Sequence, residues 1–275
     1  MGNRSLSRKR VLITGAGGGI GSHLAREFAR AGNDLVLTDL DAARLAQASR
    51  RLSNMGVSIE TRALDVSDRN AVDALARWVV GELGGLDILV NNAGVGFQAE
   101  LAETSLETWK KLLDVNLLGP LYHVYAFLPH FKQKRSGHIV NVSSGQAFFR
   151  LPTWGAYAAV KAALGVFSEV LSFELRKHHI RVTTVYPFLV NTPFYENIQA
   201  ATRRGRFALS LIPYCSMSPE RAARIIFKAV SRGTRVEYVS RLNDLGRIQG
   251  LIPFARDLVS HASHFLLTQE TESRP

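Results

Sequence analysis

The stretch Thr14-Gly-Ala-Gly-Gly-Gly-Ile-Gly21 decides how this chain is read. It joins the apolar run Val11-Leu-Ile-Thr14 to a segment, Ile20 to Ala31, whose apolar residues recur at helical spacing and which Gly32 closes as a C-cap does. Glycines in such a turn permit positive φ and let the backbone approach a diphosphate. The first N–H groups of the helix behind it turn a positive dipole end toward that anion. A strict G-x-G-x-x-G does not fit, because counting from Gly15 ends on Ile20 and counting from Gly17 ends on Ser22. T-G-x-x-x-G-x-G does fit, through Gly15, Gly19 and Gly21. The bland alternative is an ordinary glycine-rich turn, and the strand and helix on its flanks argue against it.

Working outward, Asp34 to Thr38 reads as a second strand ending at Asp39, 24 residues after Gly15. A carboxylate there accepts hydrogen bonds from the adenosine ribose hydroxyls of NAD and repels the 2′-phosphate of NADP. Its neighbours Leu40 and Asp41 offer no cation for that phosphate, so NAD is the expected cofactor and NADP the alternative. The structural alternative for Asp39 is to cap the next helix. Short apolar runs and amphipathic segments then alternate. Asp41–Leu52, Ala71–Leu83, Leu106–Lys132 and Ala156–Lys177 read as helices; Ser58–Ala63, Leu86–Asn91, His138–Val142 and Arg181–Tyr186 read as strands. The strands are too apolar to have a wet face, which predicts an α/β fold with a doubly wound, Rossmann-like parallel sheet covered by helices on both faces.

The 275 residues, 46% of them hydrophobic and 21% charged, suit one such domain and exclude a wholly disordered chain. The expected division is a basic arm over 1–10, a dinucleotide-binding and catalytic domain over 11–240 that includes a substrate loop at 193–217, and an amphipathic extension over 241–275. The single cysteine, Cys215, allows no intrachain disulfide and no zinc cluster. No metal is expected, and a cytoplasmic location is. No secretory signal is read at the N-terminus, and the longest charge-free apolar run, Val115 to Phe131, is 17 residues and too short for a span. The net charge of +11 suggests an anionic partner until it is located. Residues 1–10 contribute +4; residues 200–275 carry 12 Lys/Arg against 6 Asp/Glu; the 189 residues between carry 18 against 17. The body is nearly neutral, and neither a recognition helix nor an aromatic–basic platform supports nucleic-acid binding.

Tyr157 and Lys161 are four apart on a predicted helix and share one face. A tyrosine is a poor base near neutrality, with a pKa of ~10, and an adjacent ammonium favours its phenolate. Ser144 lies thirteen residues before Tyr157, just past a strand end, where its hydroxyl can hold a substrate oxygen. Y-x-x-x-K by itself is common; joined to the glycine turn and the serine it is specific.

Together these motifs resemble the short-chain dehydrogenase/reductase family. The similarity runs from about Lys9 to Ser240 through Thr14–Gly21, Asp65-Val66, Asn91-Asn-Ala-Gly94, Asn116, Ser143-Ser144, Tyr157-x-x-x-Lys161 and Pro187 through Thr192, in the family's order and spacing. The resemblance implies about seven parallel strands and NAD(P)-dependent alcohol dehydrogenase or ketoreductase activity in a homodimer or homotetramer. It implies that Gly15, Gly19, Ile20, Gly21, Asp39, Asp65, Val66, Asn92, Ala93, Gly94, Pro187, Val190 and Thr192 line the cofactor. It implies that Tyr157 is the acid/base, that Lys161 binds the nicotinamide ribose and lowers the tyrosine pKa, that Ser144 orients the carbonyl or hydroxyl, and that Asn116 supports a proton relay. Asn91 and Asn92 also fit a role in holding the sheet, and Ser143 is the neighbour of Ser144 without a role. Where the family commonly has glycine after the proline, this chain has Phe188, expected to narrow or line the nicotinamide side.

Aromatic and aliphatic residues crowd the substrate segments: Phe148, Phe149, Leu151 and Trp154 before Tyr157, and Phe194, Tyr195, Ile198, Phe207, Leu209, Leu211, Ile212 and Tyr214 in the loop. They predict an apolar ketone or alcohol as the small-molecule substrate. From Leu242 to Leu267 apolar residues recur at threes and fours, flanked by Arg241, Arg247 and Arg256. Packing on the same or a partner subunit is the preferred role for this stripe, and peripheral contact with an anionic membrane the weaker alternative. The leading function is an NAD-dependent oxidoreductase. The alternatives are an NADP-dependent ketoreductase and a non-catalytic dinucleotide-binding scaffold; the intact Ser144, Tyr157 and Lys161 argue against the last.

Overall fold

Alternate residues of β1 (Arg10–Thr14) face two different cores, which is what a strand covered on both sides requires. Val11 and Ile13 pack with Phe28, Val140 and Ile226 on one side; Leu12 packs with Leu89, Phe127 and Ile139 on the other. In this computed structural model, which describes residues 8–149, 151–195, 198, 210 and 216–240, seven parallel strands lie in the order β3-β2-β1-β4-β5-β6-β7. They are β1, β2 (Asp34–Asp39), β3 (Ile59–Ala63), β4 (Ile88–Asn91), β5 (Gly137–Val142), β6 (Ile180–Tyr186) and β7 (Val236–Tyr238). Helices α1 (Gly19–Arg30) and α8 (Pro219–Arg232) cover one face, with Phe28 and Phe227 edge to face at 5.2 Å. Helices α3 (Arg69–Gly81), α5 (Gly119–Lys134) and α7 (Gly155–Glu174) cover the other. Strand order reverses between β1 and β4, and a crevice opens at such a switch point beyond the carboxyl ends of the strands.

The structure departs from the sequence reading in four places. β7 and α8 are absent from the sequence reading: Val236-Glu-Tyr238 is three residues long and carries no run of apolar residues, whereas α8 has a legible signal in its Ser218 cap, Pro219 and the buried face Ala222, Ala223, Ile226, Ala229 and Val230. β3 is not buried on both faces: it is the sheet edge, and its residues are half-buried or exposed. The predicted helix Leu106–Lys132 is divided into α4 (Leu106–Leu113), a π-helical turn Asp114–Leu118 and α5, whose Pro120 sits in the first turn where no intrahelical N–H is needed. Lastly, the helix Gly155–His178 is long and apolar enough to cross a membrane by length and composition, although Val115–Phe131 was the longest run read from sequence. In the fold 56% of its apolar window is buried, and it packs on β6 and presents Tyr157 and Lys161. Residues 1–7 of the basic arm, loop residues Phe207, Leu209, Leu211, Ile212 and Tyr214, and the whole 241–275 extension lie outside the described residues.

Candidate active site

The glycine turn packs with almost no spare room on its inner side. Gly15 has φ +65°, and a Cβ there would lie 2.8 Å from Ala93 Cα. A Cβ on Gly21 would lie 2.1 Å from the Gly15 carbonyl oxygen. Gly21 packs against the inner side of the turn and is not among the residues that line the cavity. Gly18, the N-cap of α1, has no side-chain cap, and α1 has no acid in its first turn, which leaves its first N–H groups for an anion. A Cβ at Gly18 would meet nothing within 4 Å, so the outer side of the turn is open. Thr14 Oγ1 accepts from the N–H groups of Asn92 and Ala93, each at 3.0 Å, and Asn92 Nδ2 donates to the carbonyls of Thr14 and Gly15 at 3.0 and 3.1 Å. The end of β4 is thereby tied to the turn, while Asn91 donates sideways to Asn141 at 2.8 Å within the sheet.

A cavity of about 660 Å³ runs from this turn to Tyr157. Gly15, Gly19, Ile20, Asp39, Asp65, Val66, Asn92, Ala93, Gly94, Ser144, Tyr157, Lys161, Pro187, Val190 and Thr192 all line it. Asp39 Oδ2 accepts from Gly17 N at 2.8 Å and Oδ1 from Asp41 N at 3.0 Å. Asp39 does not cap the following helix α2 (Ala42–Arg50); Asp41 does, accepting from Ala43 and Arg44 at 2.9 and 3.0 Å. The expectation of no cation near Asp39 is also overturned. Arg44, paired with Asp41 at 3.2 Å, lines the same cavity, because the first turn of α2 folds back over the end of β2. A search three and four residues beyond Asp41 along the helix would have found it. Asp65 accepts from Ser67 N and Oγ at 2.8 and 2.7 Å, which shapes the loop there. Val66 packs against Gly119, where a Cβ would lie 3.0 Å from Val66 Cγ2.

At the other end Tyr157, Ser144 and Lys161 are all buried. Lys161 Nζ donates to Val142 O at 3.0 Å and lies 5.9 Å from the centroid of the Tyr157 ring; Ser143 Oγ donates to the Lys161 carbonyl at 2.7 Å. Burial pushes the lysine down to about 8 and pushes the Tyr157 phenol up, with the Ser144 hydroxyl opposing and Tyr195 adding to the rise. Burial is the largest cause of the rise in the phenol. The ring is dehydrated by Trp154 and Phe194, at centroid distances of 5.8 and 5.6 Å, and the ammonium points to a backbone carbonyl. The phenol is protonated near neutrality.

Asn116 sits in the π-helical turn, spends its amide on Val95 (N–H to Oδ1 at 3.2 Å, Nδ2 to O at 2.9 Å) and does not line the cavity. Gly94 separates it from Lys161: a Cβ there would be 2.8 Å from Asn116 Oδ1 and 3.5 Å from Lys161 Nζ. Phe188 stacks on Phe149 at 4.1 Å, and Phe148 packs on Tyr186 at 4.7 Å. These rings and Trp154 are outside the lining; the apolar wall near Tyr157 comes from Leu189, Phe194 and Tyr195.

The buried lysine has a measurable consequence. Its folded-state pKa, about 8, lies below the ordinary 10.5, so the unfolded chain binds more protons between these values and stability rises with pH across that window. Lys161→Met removes the titration. Denaturation at about pH 7.5 and about pH 10 should show the wild type gaining on the variant as pH rises, and identical pH slopes would refute the buried-cation reading.

The family model for short chain dehydrogenase matches residues 9–203, and the chain belongs to that family. An uncharacterized oxidoreductase of Staphylococcus saprophyticus is 36% identical over 189 residues, covering 68% of this chain and 81% of that protein. Among solved structures, a short chain dehydrogenase/reductase of Burkholderia phymatum in complex with NAD superposes with a TM-score of 0.79 at 25% identity, over 98% of this chain and 99% of that one. L-Sorbose reductase of Gluconobacter frateurii, complexed with NADPH and L-sorbose, gives 0.76 at 29% identity, over 86% and 96%. The chain is an oxidoreductase of this family with an NAD(P)-binding fold.

Proposed function

We propose that this protein transfers a hydride between NAD(H) and an apolar secondary alcohol or ketone, with Tyr157 as the acid/base. The observation that carries the reading is the buried phenol of Tyr157 lining, with Ser144 and Lys161, the cavity whose far end is the glycine turn. The open outer side of that turn and the uncapped start of α1 fit a dinucleotide diphosphate. A bound nicotinamide supplies or accepts the hydride. Ser144 holds the substrate oxygen, the Tyr157 O–H gives it a proton during reduction and takes one back during oxidation, and Lys161 is the neighbouring ribose donor. Asn116 braces Val95 and Gly94 beside Lys161 and supports proton exchange there. Leu189, Phe194 and Tyr195 favour an apolar substrate.

Arg44 favours a second reading, use of NADPH, because it lines the same cavity as Asp39 and its guanidinium can exchange Asp41 for a 2′-phosphate. In either case a homo-oligomer is part of the proposal: Val166 and Val170 on α7 and Tyr125 on α5 are exposed apolar side chains that a second copy would cover. A panel of ketones with NADH and NADPH, and of alcohols with NAD+ and NADP+, followed by dinucleotide absorbance, tests the function. Hydrophobic ketones should turn over with NADH and small charged ones should not; no oxidation with any ketone and either cofactor would end the proposal.

A further inference from the structure

Five non-glycine residues among the described ones take a left-handed backbone: Arg8, Arg135, Thr153, His179 and Leu189. Arg135 and His179 close helical segments, where such a conformation is ordinary. Leu189, at φ +50°, is the one of the five that lines the cavity holding Ser144 and Tyr157. A side chain in this region crowds the following carbonyl, so the conformation persists only where the surroundings fix the chain on both sides.

Both sides of Leu189 are fixed. Pro187 O accepts from Gly145 N at 2.7 Å, which ties the segment to the residue after Ser144. Leu189 O accepts from Met217 N at 2.8 Å, and Met217 O accepts from Asn191 N at 2.8 Å, so the far side is laddered to a second segment. Between these ties the Phe188 ring stacks on Phe149 at 4.1 Å, with the planes 16° apart. Phe188 stands where the family commonly has glycine, and glycine can make no such stack. Phe188 is thereby held outside the lining, and the next side chain, Leu189, is the one that lines the cavity.

The other apolar residues of that wall are spent differently. Phe194 and Tyr195 pack in the cluster of Trp154 and Tyr157. Leu189 is half-buried, yet it belongs to none of the three apolar clusters of the described residues. Its isobutyl group faces the cavity without serving that core, which is the placement of a side chain that meets a ligand. We infer that Leu189 sets the size of the ketone this cavity accepts, and that the Phe188–Phe149 stack is the positioning device that holds it against its own backbone preference. The inference rests on the proposed reaction of an apolar ketone and names the side chain that limits bulk in it.

The test uses the full-length Tyr157→Phe protein loaded with NADH, in which binding is read without turnover. Cyclohexanone and the bulkier 2-decalone are titrated by calorimetry. Leu189→Ala should shift the ratio of their affinities about tenfold toward 2-decalone, the low end of what one methylene is worth in an apolar pocket. Phe188→Ala should shift it the same way, and Phe188→Tyr, which keeps the ring, should leave it unchanged. Once Leu189 is replaced by alanine, Phe188→Ala should add nothing to the ratio, because the ring acts through Leu189. Leu189→Gly should melt about 2 °C above Leu189→Ala, since glycine takes φ +50° without cost. An unchanged ratio in Leu189→Ala or Phe188→Ala, additive effects of the two, no saturable binding of either ketone, or the alanine variant melting above the glycine one would each overturn the inference. Turnover is measured separately with Tyr157 intact. Ketones that bind with this discrimination but are never reduced would end the proposed reaction and leave the role of Leu189 standing.

Discussion

Tyr157→Phe should bind NADH as the parent chain does and lose about three orders of magnitude in turnover, within the ~10²–10⁴-fold that a positioned proton donor contributes. The substitution deletes one oxygen. The ring stays in its packing against Trp154 and Phe194, so the fold has no reason to change. Burial already holds the phenol protonated, and Ser144 keeps its bond from Gln146 N. Stability should therefore stay within about 1 kcal/mol of the wild type, because the deleted group is a hydrogen-bonding partner rather than packing volume. Fluorescence titration with NADH reads the binding, and single-turnover absorbance reads the hydride step. Full activity in the variant would remove Tyr157 from the chemistry; loss of NADH binding would mean that the phenol builds the cofactor site instead.

The largest structural effect is expected of Gly21→Ala. Its methyl group would lie 2.1 Å from the Gly15 carbonyl oxygen and 2.7 Å from Asn92 Nδ2. The first of these atoms is backbone and cannot rotate away, so α1 must move relative to the end of β1. Overpacking of this kind costs about 1–3 kcal/mol, and dinucleotide affinity should collapse because the N–H groups of the turn move with it. Gly18→Ala is the control. Its Cβ would meet nothing within 4 Å and its φ of −165° is open to any residue, so stability should be unchanged. Urea denaturation separates the two variants. A Gly21→Ala protein that unfolds at the wild-type midpoint would show that the inner side of the turn has slack.

Local features of the chain were the legible ones. The glycine turn, the carboxylate at the end of β2 and the pair Tyr157/Lys161 are set by spacing along a strand or helix, and spacing is a property of sequence. The cavity brings together all the expected cofactor residues except Gly21, which packs against the inner side of the turn. Elements whose identity depends on neighbours were not legible. β7 is a strand because β6 offers it an edge: Thr184 pairs with Val236 and Tyr186 with Tyr238. The π-helical turn at Asp114–Leu118 has no signature in apolar periodicity, since one residue beyond a regular helix changes the phase without changing composition.

The amino-acid sequence by itself determined the order of the first six strands and the helices between them, the glycine turn and the face shared by Tyr157 and Lys161. Each of these follows from backbone preferences and hydrophobic repeats over a few residues. Tertiary structure alone decided that Arg44 lines the same cavity as Asp39, that Phe188 stacks on Phe149, and that burial raises the Tyr157 phenol. Those outcomes depend on distances through space and on how much water each group keeps, and neither quantity is defined until the chain has folded.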